Sequence, residues 1–167
     1  MKNIVLIGMP GAGKSTVGVV LAKTLGFDFV DTDLLMQHET NKKLQELIDE
    51  NGIEKFLQIE ADVIKTLNCS SAVIATGGSA VFDESAMMHL KENGLVVFID
   101  VDYDEIAKRV KNITTRGIAK AKDKSLLDVY NERMPLYRKY ADLTIDATNK
   151  NTEDIVREIK GLCNIQI

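Results

Sequence analysis

Cysteine is scarce in this chain: two occur among 167 residues, Cys69 and Cys163, with no C-x-x-C pair. That excludes a disulfide framework and argues against a zinc site. The two histidines, His38 and His89, are far apart and have no metal-ligand spacing with the cysteines, so they read as helix-face or surface residues. Only two prolines occur, Pro10 and Pro135, and no Pro/Gly/Ser-rich linker divides the chain. No apolar run approaches the roughly 18 residues a membrane span needs. The apolar stretch at residues 4–7 is too short for a signal peptide and reads as the first strand of the fold. An excess of positive charge is also missing. Lys and Arg number 21 against 25 Asp and Glu, a net charge of −4, whereas a domain that grips nucleic acid by its phosphates leans basic. Aromatic residues make up 5%, few platforms for stacking bases.

What remains is an ordinary globular composition, 45% hydrophobic and 28% charged, of a length that suits one domain. Short apolar runs at residues 4–7, 29–30, 73–75, 95–99 and 143–145 suit strands buried on both faces. Helical spacing lies between them. Val17, Val20, Leu21 and Leu25 share a face, with Gly26 as a stop. Ile155, Ile159 and Leu162 repeat likewise after a capping Asn151 or Thr152. Residues 56–67, 84–92, 103–111 and 126–140 carry the same pattern, with Met87 and Met88 expected in the core. Strand and helix alternating in this way predict a parallel sheet with helices on both faces, and a ligand beyond the carboxyl ends of its strands.

The segment Gly8-Met9-Pro10-Gly11-Ala12-Gly13-Lys14-Ser15 matches G-x-x-x-x-G-K-[ST] between a predicted strand and helix. Small residues let successive backbone N–H groups surround anionic oxygens, and the helix start adds partial positive charge. Lys14 is placed to reach β- and γ-phosphates, and Ser15 to ligate Mg²⁺. A dinucleotide loop would need a third glycine where Thr16 stands and would not use a lysine. In Asp31-Thr32-Asp33, just past a strand, two carboxylates two residues apart point the same way if the chain is extended. Asp31 is assigned to the metal, and Asp33 to the acceptor hydroxyl as orienter or general base. The alternative makes Asp33 a helix N-cap. Asp100, ending another apolar run, is the second choice as metal ligand.

With these residues in view, the chain resembles the shikimate kinase family over nearly its full length. The resemblance rests on residues 8–16, Asp31-Thr32-Asp33, Thr76-Gly77-Gly78-Ser79-Ala80, Arg116, and Glu132-Arg133-Met134-Pro135-Leu136-Tyr137. It implies an α/β P-loop NTPase fold of three layers, with a five-stranded parallel sheet flanked by helices. It also implies a lid at about 112–124 and a substrate-binding region at about 33–60. The implied activity is transfer of phosphate from ATP, with Mg²⁺, to a hydroxyl of shikimate, a step of aromatic amino-acid biosynthesis. By the resemblance Gly11, Ala12, Gly13, Lys14, Ser15, Thr16, Arg109 and Arg116 bind nucleotide, Gly78 donates its N–H to the acid with Gly77 beside it, and Arg133 pairs with the substrate carboxylate. Lys14, Asp33 and Arg116 are the expected catalytic set. The expected partners are ATP and one small molecule, without nucleic acid or membrane, in a cytoplasmic monomer.

Three positions depart from the family pattern. The family's Phe-Arg-x-x-Glu reads Phe56-Leu57-Gln58-Ile59-Glu60 here, so an arginine that grips the substrate carboxylate is leucine. Losing one such charge-assisted hydrogen bond costs roughly 1.5–3 kcal/mol. Glu60 falls in an apolar arc with Phe56, Val63 and Leu67 and needs a cation or donors; the expectation is that it orients Arg133. Gly117 stands where proline is common, and Ser79 where a third glycine is expected. These changes surround the acceptor and leave the nucleotide motifs intact. A related kinase for a hydroxy amino acid or a sugar acid is therefore the alternative. A guanine-nucleotide switch is less favoured, because Asn149-Lys150-Asn151-Thr152 lacks the acid of N-K-x-D.

Overall fold

The computed structural model describes residues 2–111 and 117–166. Five parallel strands form one sheet in the order β2-β3-β1-β4-β5. They are β1 (Asn3–Ile7), β2 (Asp28–Asp31), β3 (Ala72–Ala75), β4 (Gly94–Asp100) and β5 (Leu143–Asp146). The three inner strands are the continuous apolar runs, and every residue of β1 and β3 is buried. The edge strands β2 and β5 are partly exposed. β1 is zipped on both sides, Val5 facing Ile74 of β3 and Val96 of β4. All five strands predicted from the sequence are present, each longer by one or two residues.

Helices α1 (Lys14–Leu25), α2 (Thr32–Thr40), α3 (Leu44–Thr66), α4 (Glu84–Glu92), α5 (Tyr103–Lys111), α6 (Leu126–Tyr140) and α7 (Thr152–Gln166) flank the sheet. A 3₁₀ turn at Ala80–Phe82 precedes α4. Gly26 ends α1 in the left-handed region, as expected. Asn151 is the cap of α7, its side chain accepting from the N–H of Asp154 at 2.9 Å. Met87 is buried, but Met88 is 51% exposed and does not join the core. α2 and the first half of α3 carry no clean apolar period and were not expected as long helices. α3 bends at Gly52, whose φ of 77° and ψ of 169° interrupt the helix. α6 runs through Pro135. No helix among the described residues is long and apolar enough to cross a membrane.

One large core fills the space between sheet and helices. A second, smaller cluster of Met36, Leu47, Phe56, Val63 and Ala119 joins α2 and α3 to the segment after residue 116. This second cluster is what holds one wall of the site.

Candidate active site

The loops after β1, β2 and β3 converge above the carboxyl ends of those strands, around a cavity of about 80 Å³. Gly8, Gly11 and Gly13 have φ of 148°, 82° and 90°, conformations that a side chain would strain. They turn the loop so that Gly13 becomes the N-cap of α1. Pro10, Gly11, Gly13, Lys14, Ser15 and Thr16 all line the cavity; Ala12 is buried behind them. The Lys14 ammonium lies within the loop it serves, donating to the carbonyls of Gly8 and Met9, both at 2.8 Å. Arg109, on α5, donates to the carbonyl of Gly11 at 3.1 Å and pairs with Glu105 one turn earlier. Arg116 lies outside the described residues. The following Gly117, Ile118 and Ala119 line the cavity, and a Cβ on Gly117 would come within 2.9 Å of Gln45 and Leu44 on α3. Residues 117–119 thus lie between the cavity and the start of α3.

Asp31 and Asp33 divide their work differently from the extended-chain picture. Asp31, not Asp33, is the helix cap: its Oδ1 accepts from the N–H groups of Asp33 (3.0 Å) and Leu34 (3.2 Å). Its Oδ2 accepts the Ser15 hydroxyl at 2.6 Å. Asp33 sits inside the first turn of α2 and lines the cavity. A hydroxyl and a carboxylate, both hard oxygen donors, suit Mg²⁺, which keeps several waters and arrives with nucleotide phosphates. Among the described residues no group of three or more His, Cys, Asp or Glu could hold a metal ion. Asp100 does not line the cavity. Burial raises its carboxyl above the usual range, with Arg138 opposing and Asp146 and Asp102 reinforcing the shift.

Gly77 and Gly78 follow β3. Neither has a positive φ; close approach is what demands glycine here. A Cβ on Gly77 would lie 2.3 Å from Glu60 Oε1 and 2.6 Å from Asp33 Oδ1, and one on Gly78 would lie 2.7 Å from Pro10 Cδ. The loop is fixed from three sides. Thr32 Oγ1 accepts from the N–H of Gly77 at 3.1 Å, Thr76 donates to the carbonyl of Leu6 at 2.9 Å, and Tyr137 donates to the carbonyl of Gly78 at 2.6 Å. Burial drives the Tyr137 phenol well above its usual pKa, so it remains a donor. Thr32 and Tyr137 escaped the sequence reading as site residues, although both stand inside quoted motifs.

Arg133, on α6, is 2% exposed. It donates from Nη2 to the carbonyl of Ala119 at 2.7 Å, and its Cζ sits 5.4 Å from the centre of the Phe82 ring. Its Nε has no partner. Glu60 is 3% exposed and, contrary to expectation, makes no ion pair with Arg133. Instead Glu60 Oε2 accepts the Ser79 hydroxyl at 2.6 Å, while Oε1 is left without a partner. Burial pushes the Glu60 carboxyl up to about 7, Ser79 and Arg133 lower it, and nearby Asp33 adds to the rise. Among the described residues no carboxylate forms an ion pair with the buried Arg133 guanidinium, an arrangement suited to receiving an anion. Leu57 does not line this cavity. It is half-buried against the second core cluster, bordering adjoining cavities of about 130 and 230 Å³ that also touch Phe82.

Against known proteins, the chain matches the family model described as shikimate kinase over residues 10–163. A shikimate kinase of Caldanaerobacter subterraneus is 36% identical over 162 residues, covering 95% of this chain and 94% of that one. One from Bacillus mycoides is 35% identical over 98% of this chain and 99% of its own. Among solved structures, shikimate kinase from Acinetobacter baumannii in complex with shikimate superposes with a TM-score of 0.90 at 29% identity, covering 99% of this chain and 94% of that one. A gluconokinase from Sinorhizobium meliloti, at 19% identity and TM-score 0.56, shares the fold. With the phosphate loop, the Asp31–Asp33 pair and the Gly77-Gly78 loop in the places described, this chain belongs to the shikimate kinase family.

Proposed function

We propose that this chain transfers the γ-phosphoryl group of ATP to a hydroxyl of shikimate. The observation that carries the reading is a single cavity bordered at once by the phosphate loop, Asp33 and the buried Arg133. The loop amides and Lys14 hold the phosphate chain, and Arg109 lies beside them over Gly11 and Gly13. Arg133 takes the carboxylate of the acceptor, and Asp33 aligns its hydroxyl. The hydroxyl oxygen forms a bond to the γ-phosphorus as the bond to the β–γ bridging oxygen breaks. ADP leaves, and the hydroxyl proton passes to Asp33. Ser15 and Asp31 would hold Mg²⁺, which offsets charge on the β- and γ-phosphates when bound. Arg116 is assigned to the same charge from the lid. ATP, Mg²⁺ and shikimate are then the only partners, in a cytoplasmic monomer whose mass light scattering would check.

Release of ADP with and without shikimate tests the reading, alongside MgATP binding by calorimetry. Saturable, shikimate-dependent turnover is expected. Asp33→Asn should lower kcat by about 10²–10⁴-fold with MgATP affinity nearly kept. A protein that binds MgATP but shows no shikimate-dependent ADP release has another acceptor. One that binds no MgATP overturns the kinase reading altogether.

A further inference from the structure

Tyr137 is wholly buried, and the transfer chemistry above gives its phenol no step. It stands one turn after Arg133 on α6, so the two side chains share a helix face. Its Oη donates to the carbonyl of Gly78 at 2.6 Å and lies 3.9 Å from Met9 Sδ in the phosphate loop. A phenol has one proton, and the carbonyl is the better acceptor, so Met9 is a packing contact. The ring is stacked on Phe98 of β4, with centroids 5.2 Å apart, and Phe98 pairs with Ile7, the last residue of β1. The donor is therefore fixed against the strand that carries the phosphate loop. Gly78 in turn is packed between Pro10 and Arg133: a Cβ there would lie 2.7 Å from Pro10 Cδ and 3.0 Å from Arg133 Nη1. Gly78 and Arg133 both line the acceptor cavity. The backbone of Gly78 thus has a neutral donor holding its carbonyl and a cationic donor close by. A guanidinium gives a carbonyl the stronger, charge-assisted bond, and Arg133 already gives one to Ala119 from Nη2 at 2.7 Å. A glycine peptide turns with little resistance, and a buried carbonyl without a donor is costly. Released from Tyr137, the Gly78 carbonyl would turn to Arg133 and compete there with any anion in the cavity.

We propose that Tyr137 is a positioning residue for acceptor binding: by occupying the Gly78 carbonyl it keeps that carbonyl from Arg133 and leaves the guanidinium to the carboxylate of the acceptor. The phenol touches neither substrate and acts through Gly78 and Arg133. Burial keeps it protonated, with the Arg133 charge opposing the upward shift, so the donor persists throughout the working pH range. The same hydrogen bond holds the Gly77-Gly78 loop in register with the phosphate loop, because the phenol is anchored through Phe98 beside Ile7. The inference rests on the reading that Arg133 takes the acceptor's carboxylate, and adds to it the residue that keeps the arginine available for that task.

The experiment measures ADP release by wild type and Tyr137→Phe with shikimate and with its methyl ester, which has no carboxylate for Arg133. Tyr137→Phe should raise the KM for shikimate tenfold or more, lower kcat by a smaller factor, and leave the KM for MgATP within twofold. With the ester, kcat/KM should change by less than threefold, because a guanidinium drawn to Gly78 has no anion to lose. Replacing Tyr137 by 4-aminophenylalanine, which keeps an N–H donor, should restore the shikimate KM to within threefold of wild type. Melting temperature and MgATP binding check the fold of each variant. Should Tyr137→Phe not fold, 4-fluorophenylalanine at 137, which fills the place of the hydroxyl without a donor, decides by the same readouts. An unmoved shikimate KM in a folded variant overturns the role of Tyr137 and leaves the kinase reading intact. Equal losses for acid and ester mean that the phenol serves the fold alone, which also overturns it. A wild type that binds MgATP and turns over no shikimate removes the acceptor reading, and this role with it.

Discussion

Glu60 carries a stability cost that depends on pH. Its carboxyl titrates at about 7 in the fold against 4.5 ordinarily, because burial outweighs the Ser79 hydrogen bond. An acid raised in this way binds its proton more tightly folded than unfolded. Its contribution is therefore most favourable below pH 4.5, is lost as pH rises from 4.5 to 7, and stays lost above that. Glu60→Gln keeps an acceptor for Ser79 without the charge. It should stabilise the protein by ~1–3 kcal/mol at pH 8 and by little at pH 4, read from urea unfolding at the two pH values. Gly77→Ala should act oppositely, destabilising by ~1–3 kcal/mol at neutral pH, because its Cβ would strike Glu60 Oε1 and Asp33 Oδ1. Tyr137→Phe should cost ~1–2 kcal/mol by leaving the Gly78 carbonyl without its 2.6 Å donor. At this scale the sequence disclosed which residue types matter but not who meets whom. Glu60 was legible as a buried acid from its place in an apolar arc. Its partner was not, since Ser79 lies on another element and only the folded backbone brings the two together.

Among the elements, α2 shows how one side chain serves fold and chemistry together. Asp31 caps it through Oδ1 and meets Ser15 through Oδ2. Asp31→Ala should destabilise by about 1 kcal/mol, while Asp31→Asn, which keeps a capping oxygen, should cost less. Both should raise the Mg²⁺ concentration needed for half-maximal turnover, a readout that a cap alone would not move. Gly52 in α3 offers the converse case. Nothing lies within 4 Å of a Cβ built there, so Gly52→Ala measures backbone strain alone, an expected loss of ~1–3 kcal/mol in chemical denaturation. The strands, α1, α4, α5 and α6 were legible because burial on a sheet or a helix face writes its period into the chain. α2 was not, because Leu34-Leu35-Met36 is a consecutive run and Leu34 is 62% exposed; a cap and tertiary packing hold this helix rather than an apolar stripe.

For the whole molecule, the phosphate loop is backed by the large core, and the cavity wall formed by α2, α3 and the residues after 116 by the small one. The motifs fixing the first are contiguous in sequence, which is why they could be read. The second is assembled from α2, α3 and residues after 116, and its character emerges only where they meet. That partition also sets a hierarchy of local opening. β1, like β3, is buried along its entire length with hydrogen-bonded neighbours on both sides, and the phosphate loop hangs directly from the end of β1. In deuterium labelling, the amides of Val5 and Leu6 should be among the last to exchange, whereas those of α2 should exchange early. Heat or mutation would then erase discrimination between acceptors before it loosens the grip on triphosphate, leaving a partly melted enzyme that still holds its fuel with nowhere to deliver it.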